Sequence, residues 1–265
     1  MGVPKSRCGS YLVFDVFPII CDILKKQAAF LITFCLRRAA SFFQSDRVAK
    51  RVSRRFKFEL ELLGLGATRI AGVDEAGRGP LAGPVFAAAV IFPMEWIRNG
   101  LPAPLRQIND SKQLTSGARE ELFAELTSRP EIQFAVALVD VQTIDQINIL
   151  QASHRAMNLA LAQLQPPPEH VLVDGLRVKS MAWPQTPIVS GDALSYSIGA
   201  ASILAKVRRD QWMRDLDGVY PGYGFAEHKG YATERHLAAI KALGACPIHR
   251  RSFSPMRPTQ MELIG

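Results

Sequence analysis

Cysteine is scarce in this sequence: Cys8, Cys21, Cys35 and Cys246 are the only four, and no two form a CxxC pair. That spacing excludes a zinc ribbon and a disulfide framework, and it suits a reducing cytoplasm. Long apolar runs are missing as well. The most hydrophobic stretch, Tyr11 to Leu36, is broken by Asp15, Pro18, Asp22, Lys25 and Lys26. No segment therefore reaches the roughly 20 apolar residues of a membrane span. No ordered series of basic, apolar and small-residue regions marks a secretory leader. Methionine is absent between Met1 and Met94, and no internal repeat is visible.

What remains is the composition of a globular protein, long enough for one sizeable domain or a domain with an extension. The formal charge of +8 is unevenly spread. Residues 1–68 carry 12 Lys/Arg against 5 Asp/Glu, while residues 69–265 carry 20 against 19. The body is near neutral, so a case for nucleic acid must rest on local clusters. Arg47, Lys50, Arg51, Arg54, Arg55 and Lys57 form a basic run. It reads either as an arm for nucleic acid or a membrane surface, or as a loose extension, even sequence upstream of the true start near Val48 or Val52. The expectation is the loose extension over residues 1–66, with the domain spanning 67–265.

From Ala67 onward the pattern is regular. Thr68–Val73, Val85–Phe92, Gln133–Val139, His170–Val173 and Pro187–Val189 read as strands, the second almost wholly apolar and hence buried. A helix runs from Ser116 or Thr115 to Ser128, a second from Ile144 to Leu164, ended by three prolines, and a third from Ser195 to Leu216. The third presents small residues (Gly199, Ala200, Ala201, Ser202, Ala205) that imply close packing on a sheet.

The densest chemistry lies in Gly72-Val73-Asp74-Glu75-Ala76-Gly77-Arg78-Gly79-Pro80. Two carboxylates follow an apolar strand and precede a glycine-rich turn, at the kind of sheet edge where α/β proteins bind ligands. Asp174 and Asp192 also stand at strand ends or helix entries beside a glycine. Singly, Asp174-Gly175 reads as a turn and Asp192 as a helix cap. Together the four acids suggest a site for a hard divalent cation, since gathered carboxylates repel one another unless a cation neutralises them. Adjacent strand residues face opposite ways, so Glu75 is expected on distorted backbone or to ligate also through its carbonyl.

Seven ordered motifs extend this: GVDEAGRGPLAGPV, NDSKQL, IDQINILQAS, VLVDG, GDALSYSIGAASILAKVRRD, YPGYGFAEHKGYATERH and HRRSF. The series resembles ribonuclease HII, the bacterial type 2 ribonuclease H family, over about Thr68 to Pro255. The resemblance implies an α/β fold of the ribonuclease H type: a mixed sheet of about five strands flanked by helices, with a helical C-terminal part over about Arg208 to Leu243. It implies a metal-dependent endonuclease that cuts the RNA strand of RNA–DNA hybrids and nicks at ribonucleotides embedded in DNA, leaving 5′-phosphate and 3′-hydroxyl ends. Asp74, Glu75, Asp174 and Asp192 match the catalytic, metal-holding acids, serving one or two Mn²⁺ or Mg²⁺ ions. Gly77, Arg78 and Gly79 match the turn that reads the ribose 2′-hydroxyl, the group that marks RNA. Tyr223 matches the tyrosine that senses the next deoxyribose. Lys112, His228 and Lys229 are candidates for phosphate contacts, and Lys206, Arg208 and Arg209 either line a duplex or favour their helix's C-terminus. Leu194, Gln146 and Gly199 depart from the family pattern without touching an acid. Two rival readings remain: a divalent-metal nuclease or phosphatase of other specificity, and a non-catalytic hybrid-binding module.

Overall fold

A computed structural model describes residues 54–256 apart from 110 and 112. Five strands form one sheet: β1 (Ile70–Ala76), β2 (Val85–Ile91), β3 (Gln133–Val139), β4 (His170–Asp174) and β5 (Gln185–Ile188). Their spatial order is β3-β2-β1-β4-β5. β2 pairs antiparallel with β1 and β3, whereas β1–β4 and β4–β5 are parallel. The sheet is therefore mixed and β1 is its centre.

The helices are α1 (Lys57–Gly64), α2 (Met94–Asn99), α3 (Ser116–Ser128), α4 (Val141–Ile147), α5 (Ile149–Ala162), α6 (Gly191–Leu194), α7 (Tyr196–Val219), α8 (Phe225–His228) and α9 (Glu234–Leu243). Among the described residues, none is long and apolar enough to cross a membrane. On one face of the sheet, Ala71, Val73, Ala87 and Ala89 share a core with Ala152, Ala156, Met157 and Leu161 of α5. On the other, Ala88 and Val90 meet Ala200, Ala201, Ile203 and Leu204 of α7, with Leu122 and Leu126 of α3 beyond. Gly72 lets α7 lie directly on β1: a Cβ there would stand 2.2 Å from the Ser197 carbonyl carbon. A separate cluster of Ala82, Met213, Tyr223, Phe225 and Cys246 holds the C-terminal wall together.

Two expectations are corrected here. The apolar period over 144–164 is not one helix, because Asn148 takes φ 68° and its side chain caps α5 by accepting from the Gln151 amide at 3.1 Å. Asparagine adopts that backbone more readily than most residues and is a good N-cap. The domain also begins before residue 67. Arg54–Phe56 form a 3₁₀ turn leading into α1, and Phe56 is fully buried, edge-on to Phe92 and Tyr196. Phe56, Leu60 and Leu63 pack on the α7-side core, at the i, i+4, i+7 spacing of one helix face. The reading of residues 1–53 as loose, and the last residues from 257, lie outside the described residues.

Candidate active site

β1 carries both leading acids. Its pairing with β2 runs in unbroken register through Asp74↔Ala88, Glu75↔Ala87 and Ala76↔Phe86. The distorted backbone expected at Glu75 is thus absent; the two side chains leave a regular strand near its end. Asp174 ends β4, whose parallel register with β1 reaches Val73↔Val173. Asp74 and Asp174 are therefore neighbours on adjacent strands and share a face by alternation.

Asp74 is buried, and burial together with the charges of Glu75 and Asp174 pushes its carboxyl well above the usual range. Its Oδ1 accepts the Glu75 amide at 2.6 Å, and the Ser202 hydroxyl of α7 also bonds its carboxylate. Ser202 Oγ lies 2.9 Å from Ser111 Oγ, which ties the NDSK loop to the site. Burial likewise raises Glu75; Arg78, whose Nη1 is 3.1 Å from Glu75 Oε1, opposes that shift, and Asp174 adds to it. Asp174 Oδ1 accepts the Gly191 amide at 2.7 Å. Asp192 is the next residue, buried in α6, with its Oδ1 accepting the Ala193 amide at 2.9 Å.

The sequence reading missed Arg55. Its guanidinium donates to the carbonyls of Ile108 and Asp192, the latter at 2.5 Å, lies 4.7 Å from the Tyr196 ring centroid, and feels the Asp192 charge. Glu59 of α1, fully buried, accepts from Ser195 Oγ at 2.6 Å and from the Ser197 amide at 3.3 Å. The N-terminal turn thereby braces the segment that carries Asp192. A phenylalanine-led helical period within the basic run was the available signal.

The donor set fits a hard divalent cation: carboxylate oxygens, those of Asp74 and Asp192 buried, with Asp74 and Glu75 each raised in part by the Asp174 charge. Among the described residues, however, no three His, Cys, Asp or Glu side chains are grouped so that they could hold a metal ion. The two observations are compatible because Asp74 and Asp174 each direct an oxygen at a backbone amide. The chemistry of the donors decides in favour of the fit.

Of the substrate candidates, Gly77, Arg78 and Gly79 follow β1 directly. Gly77 has φ 100°, open to glycine but strained for other residues, and Arg78 extends a half-exposed side chain. Tyr223 does not reach this turn. It is 6 % exposed, stacked on Phe225 at 5.3 Å between centroids, and its hydroxyl donates to the Gly244 carbonyl at 2.8 Å. Tyr231 stands there instead, 45 % exposed, its ring 3.6 Å from where a Cβ on Gly79 would lie. His228 is occupied within the wall: Nδ1 accepts the Gly230 amide at 3.1 Å, leaving Nε2–H to donate to the Tyr223 carbonyl at 2.8 Å. The Lys229 ammonium donates to the Ala226 carbonyl. Lys206 pairs with Asp210 at 2.7 Å, Arg209 is buried, and Arg208 lies on the surface. Lys112 lies outside the described residues.

Comparison with known proteins matches the Ribonuclease HII family model to residues 71–256. A Ribonuclease HII of Ruminiclostridium cellulolyticum is 49% identical over 208 residues, covering 78% of each chain. Among solved structures, the ribonuclease H2 of Pyrococcus horikoshii aligns with TM-score 0.58 and 30% identity, over 74% of this chain and 98% of that one. The Bst RNase HIII in complex with Mn²⁺ aligns with TM-score 0.55 over 72% of this chain and 68% of that one, and its 19% identity makes it a likeness of fold.

Proposed function

Since the chain belongs to the ribonuclease HII family, a hydrolytic endonuclease acting on the RNA of RNA–DNA hybrids, we propose that Asp74, Glu75, Asp174 and Asp192 are its catalytic acids. The observation that carries this assignment is the register that sets Asp74 beside Asp174 on adjacent parallel strands, with Glu75 next along β1 and Asp192 adjoining the Gly191 amide that Asp174 holds. These four residues would hold Mn²⁺ or Mg²⁺, as one or two ions. Such an ion supplies Lewis-acid charge that activates water and stabilises the departing oxygen of the phosphodiester. A manganese complex of a protein with this fold agrees with the choice of metal.

The remaining work falls to the chain's own groups. Among the described residues no carbonyl accepts from the Arg78 or Gly79 amides, so both are available to a ribose hydroxyl. Tyr231, beside Gly79, is the aromatic suited to pack on the neighbouring sugar; Tyr223 is not. The reading therefore includes nicking at a single ribonucleotide within DNA, with 5′-phosphate and 3′-hydroxyl products.

The test is substitution at the acids. Asp74→Asn and Asp174→Asn should each lower turnover on a hybrid by orders of magnitude while hybrid affinity stays within a few-fold of wild type, because phosphate contacts lie elsewhere. Near-normal turnover in either purified variant would remove that residue from the site.

A further inference from the structure

Two buried arginines spend their hydrogen bonds on backbone carbonyls, and Arg250 also lies 5.0 Å from the Phe253 ring centroid. Arg209 of α7 and Arg250 of the HRRSF motif are 1 % and 0 % exposed, and neither makes an ion pair among the described residues. Arg250 Nε donates to the Gly83 carbonyl at 2.9 Å, Nη1 to Arg78 at 3.1 Å and Nη2 to Gly77 at 2.6 Å. Arg209 Nε donates to Pro84 at 3.2 Å, and its Nη2 to Ala82 at 3.1 Å and Lys229 at 3.0 Å. Gly77 fits against Arg209 because it has no Cβ; one would lie 2.1 Å from Nε.

Burying an unpaired guanidinium is costly, and here two lie close enough for the charge of one to lower the other. Burial brings Arg209 to about 10, and burial with the Arg209 charge brings Arg250 to about 9, so both stay cationic at neutral pH. A fold that needed only a latch for the C-terminal wall already has one in backbone bonds. Leu81 N–H donates to Gly230, Gly83 N–H to Ile248, and Arg250 N–H to Leu81, at 2.8–2.9 Å. The Arg250 fork adds something those bonds do not: it takes up the carbonyls of Gly77 and Arg78. Each carbonyl belongs to the same peptide unit as the next residue's amide, so fixing Gly77 and Arg78 C=O inward fixes the Arg78 and Gly79 N–H groups on the opposite side.

We infer that Arg250 is a positioning residue for ribose recognition, acting through the peptide planes of the Gly77-Arg78-Gly79 turn without touching the substrate, and that Arg209 supports it by packing against Gly77. The inference rests on the reading of that turn as the sensor of the 2′-hydroxyl. A lysine at either position keeps the charge but replaces a planar fork by a single point, which cannot span separate carbonyls in the same way.

The test compares binding of a duplex with one ribonucleotide and of the same duplex as all DNA, in chelator so that neither is cut. Wild type, Arg209→Lys and Arg250→Lys are measured alongside their melting temperatures. Wild type should favour the ribonucleotide duplex. A folded Arg250→Lys variant should lose roughly tenfold or more of that preference while its all-DNA affinity holds, as expected when hydrogen-bond donors are misaligned rather than removed. Arg209→Lys should lose less, since Arg209 packs against Gly77 but bonds the carbonyls of Ala82, Pro84 and Lys229. An unchanged preference in both folded variants would overturn the inference and leave the turn's role standing. Failure of both to fold would also overturn it, assigning the arginines to the fold alone. A wild-type preference near one would sink the reading of the turn itself, and this inference with it.

Discussion

At Asp74, burial and two neighbouring carboxylates act in one direction, and the sign can be followed to a measurement. An acid whose folded pKa lies above its unfolded value, near 4, adds stability only below that value and loses it as pH rises through the folded one. Asp74 in metal-free protein therefore works against the fold at neutral pH. Asp74→Asn should melt at a higher temperature than wild type at pH 7 without metal. Added Mn²⁺ should raise the wild-type melting point more than the variant's, by mass action on the folded state. A lower melting point for the variant in chelator would contradict this. The two tyrosines separate in the same way. Tyr223→Phe removes a buried bond to Gly244 and should cost about 1 kcal/mol of stability with ribonucleotide preference intact. Tyr231→Ala should reduce nicking at an isolated ribonucleotide more than cutting within a long hybrid; equal losses would make Tyr231 structural. Asp74, Glu75 and Asp174 could be proposed from the sequence because an apolar strand leads into each acid or acid pair. Tyr231 was not: Tyr220, Tyr223 and Tyr231 share one motif, and only their packing tells them apart.

At the scale of elements, periodicity located the sheet well. β2, β3 and α3 fall where alternation, apolar runs and a Thr115 cap put them. What escaped were short elements whose stability comes from tertiary contacts rather than from local pattern, namely α1, α2, α6 and α8. The most consequential is α1, since a chain starting near Gly66 looked sufficient from sequence. The buried Phe56 and the Arg55 and Glu59 bonds reverse that expectation. Phe56→Ala should cost roughly 3–5 kcal/mol, and a chain starting at Gly66 should unfold or lose activity where one starting at Val52 keeps both. Equal melting points for the two truncations would refute this. The wall formed by α8 and α9 carries its own signature. His236, fully buried beside His228 and His249, is lowered by burial to about 4. A neutral buried histidine stabilises the fold above its unfolded pKa, near 6.5, and that stability drains away as pH falls from there through about 4. Thermal melts across this window should show a decline that His236→Gln makes shallower; parallel curves would show that His236 does not drive it.

For the molecule as a whole, the uneven charge and the position of the site lead to separate tests. Most of the basic excess sits in residues 1–68, while the catalytic body is nearly balanced. Removing residues 1–51 should therefore flatten the salt dependence of hybrid binding only if that basic run meets phosphates, because fewer counterions would be released; the expectation is an unchanged slope. The central claim is that coupled carboxylates beside a sugar-reading turn make a metal-dependent nuclease that requires a 2′-hydroxyl. It is tested most directly by incubating a DNA duplex with one internal ribonucleotide, alongside all-DNA and all-RNA duplexes, with Mn²⁺ or Mg²⁺ and with chelator. The account predicts a single nick at the ribonucleotide, with 5′-phosphate and 3′-hydroxyl ends, abolished by chelator and by Asp74→Asn. Cutting that persists in chelator, or that is equally efficient on all-DNA duplex, would contradict it.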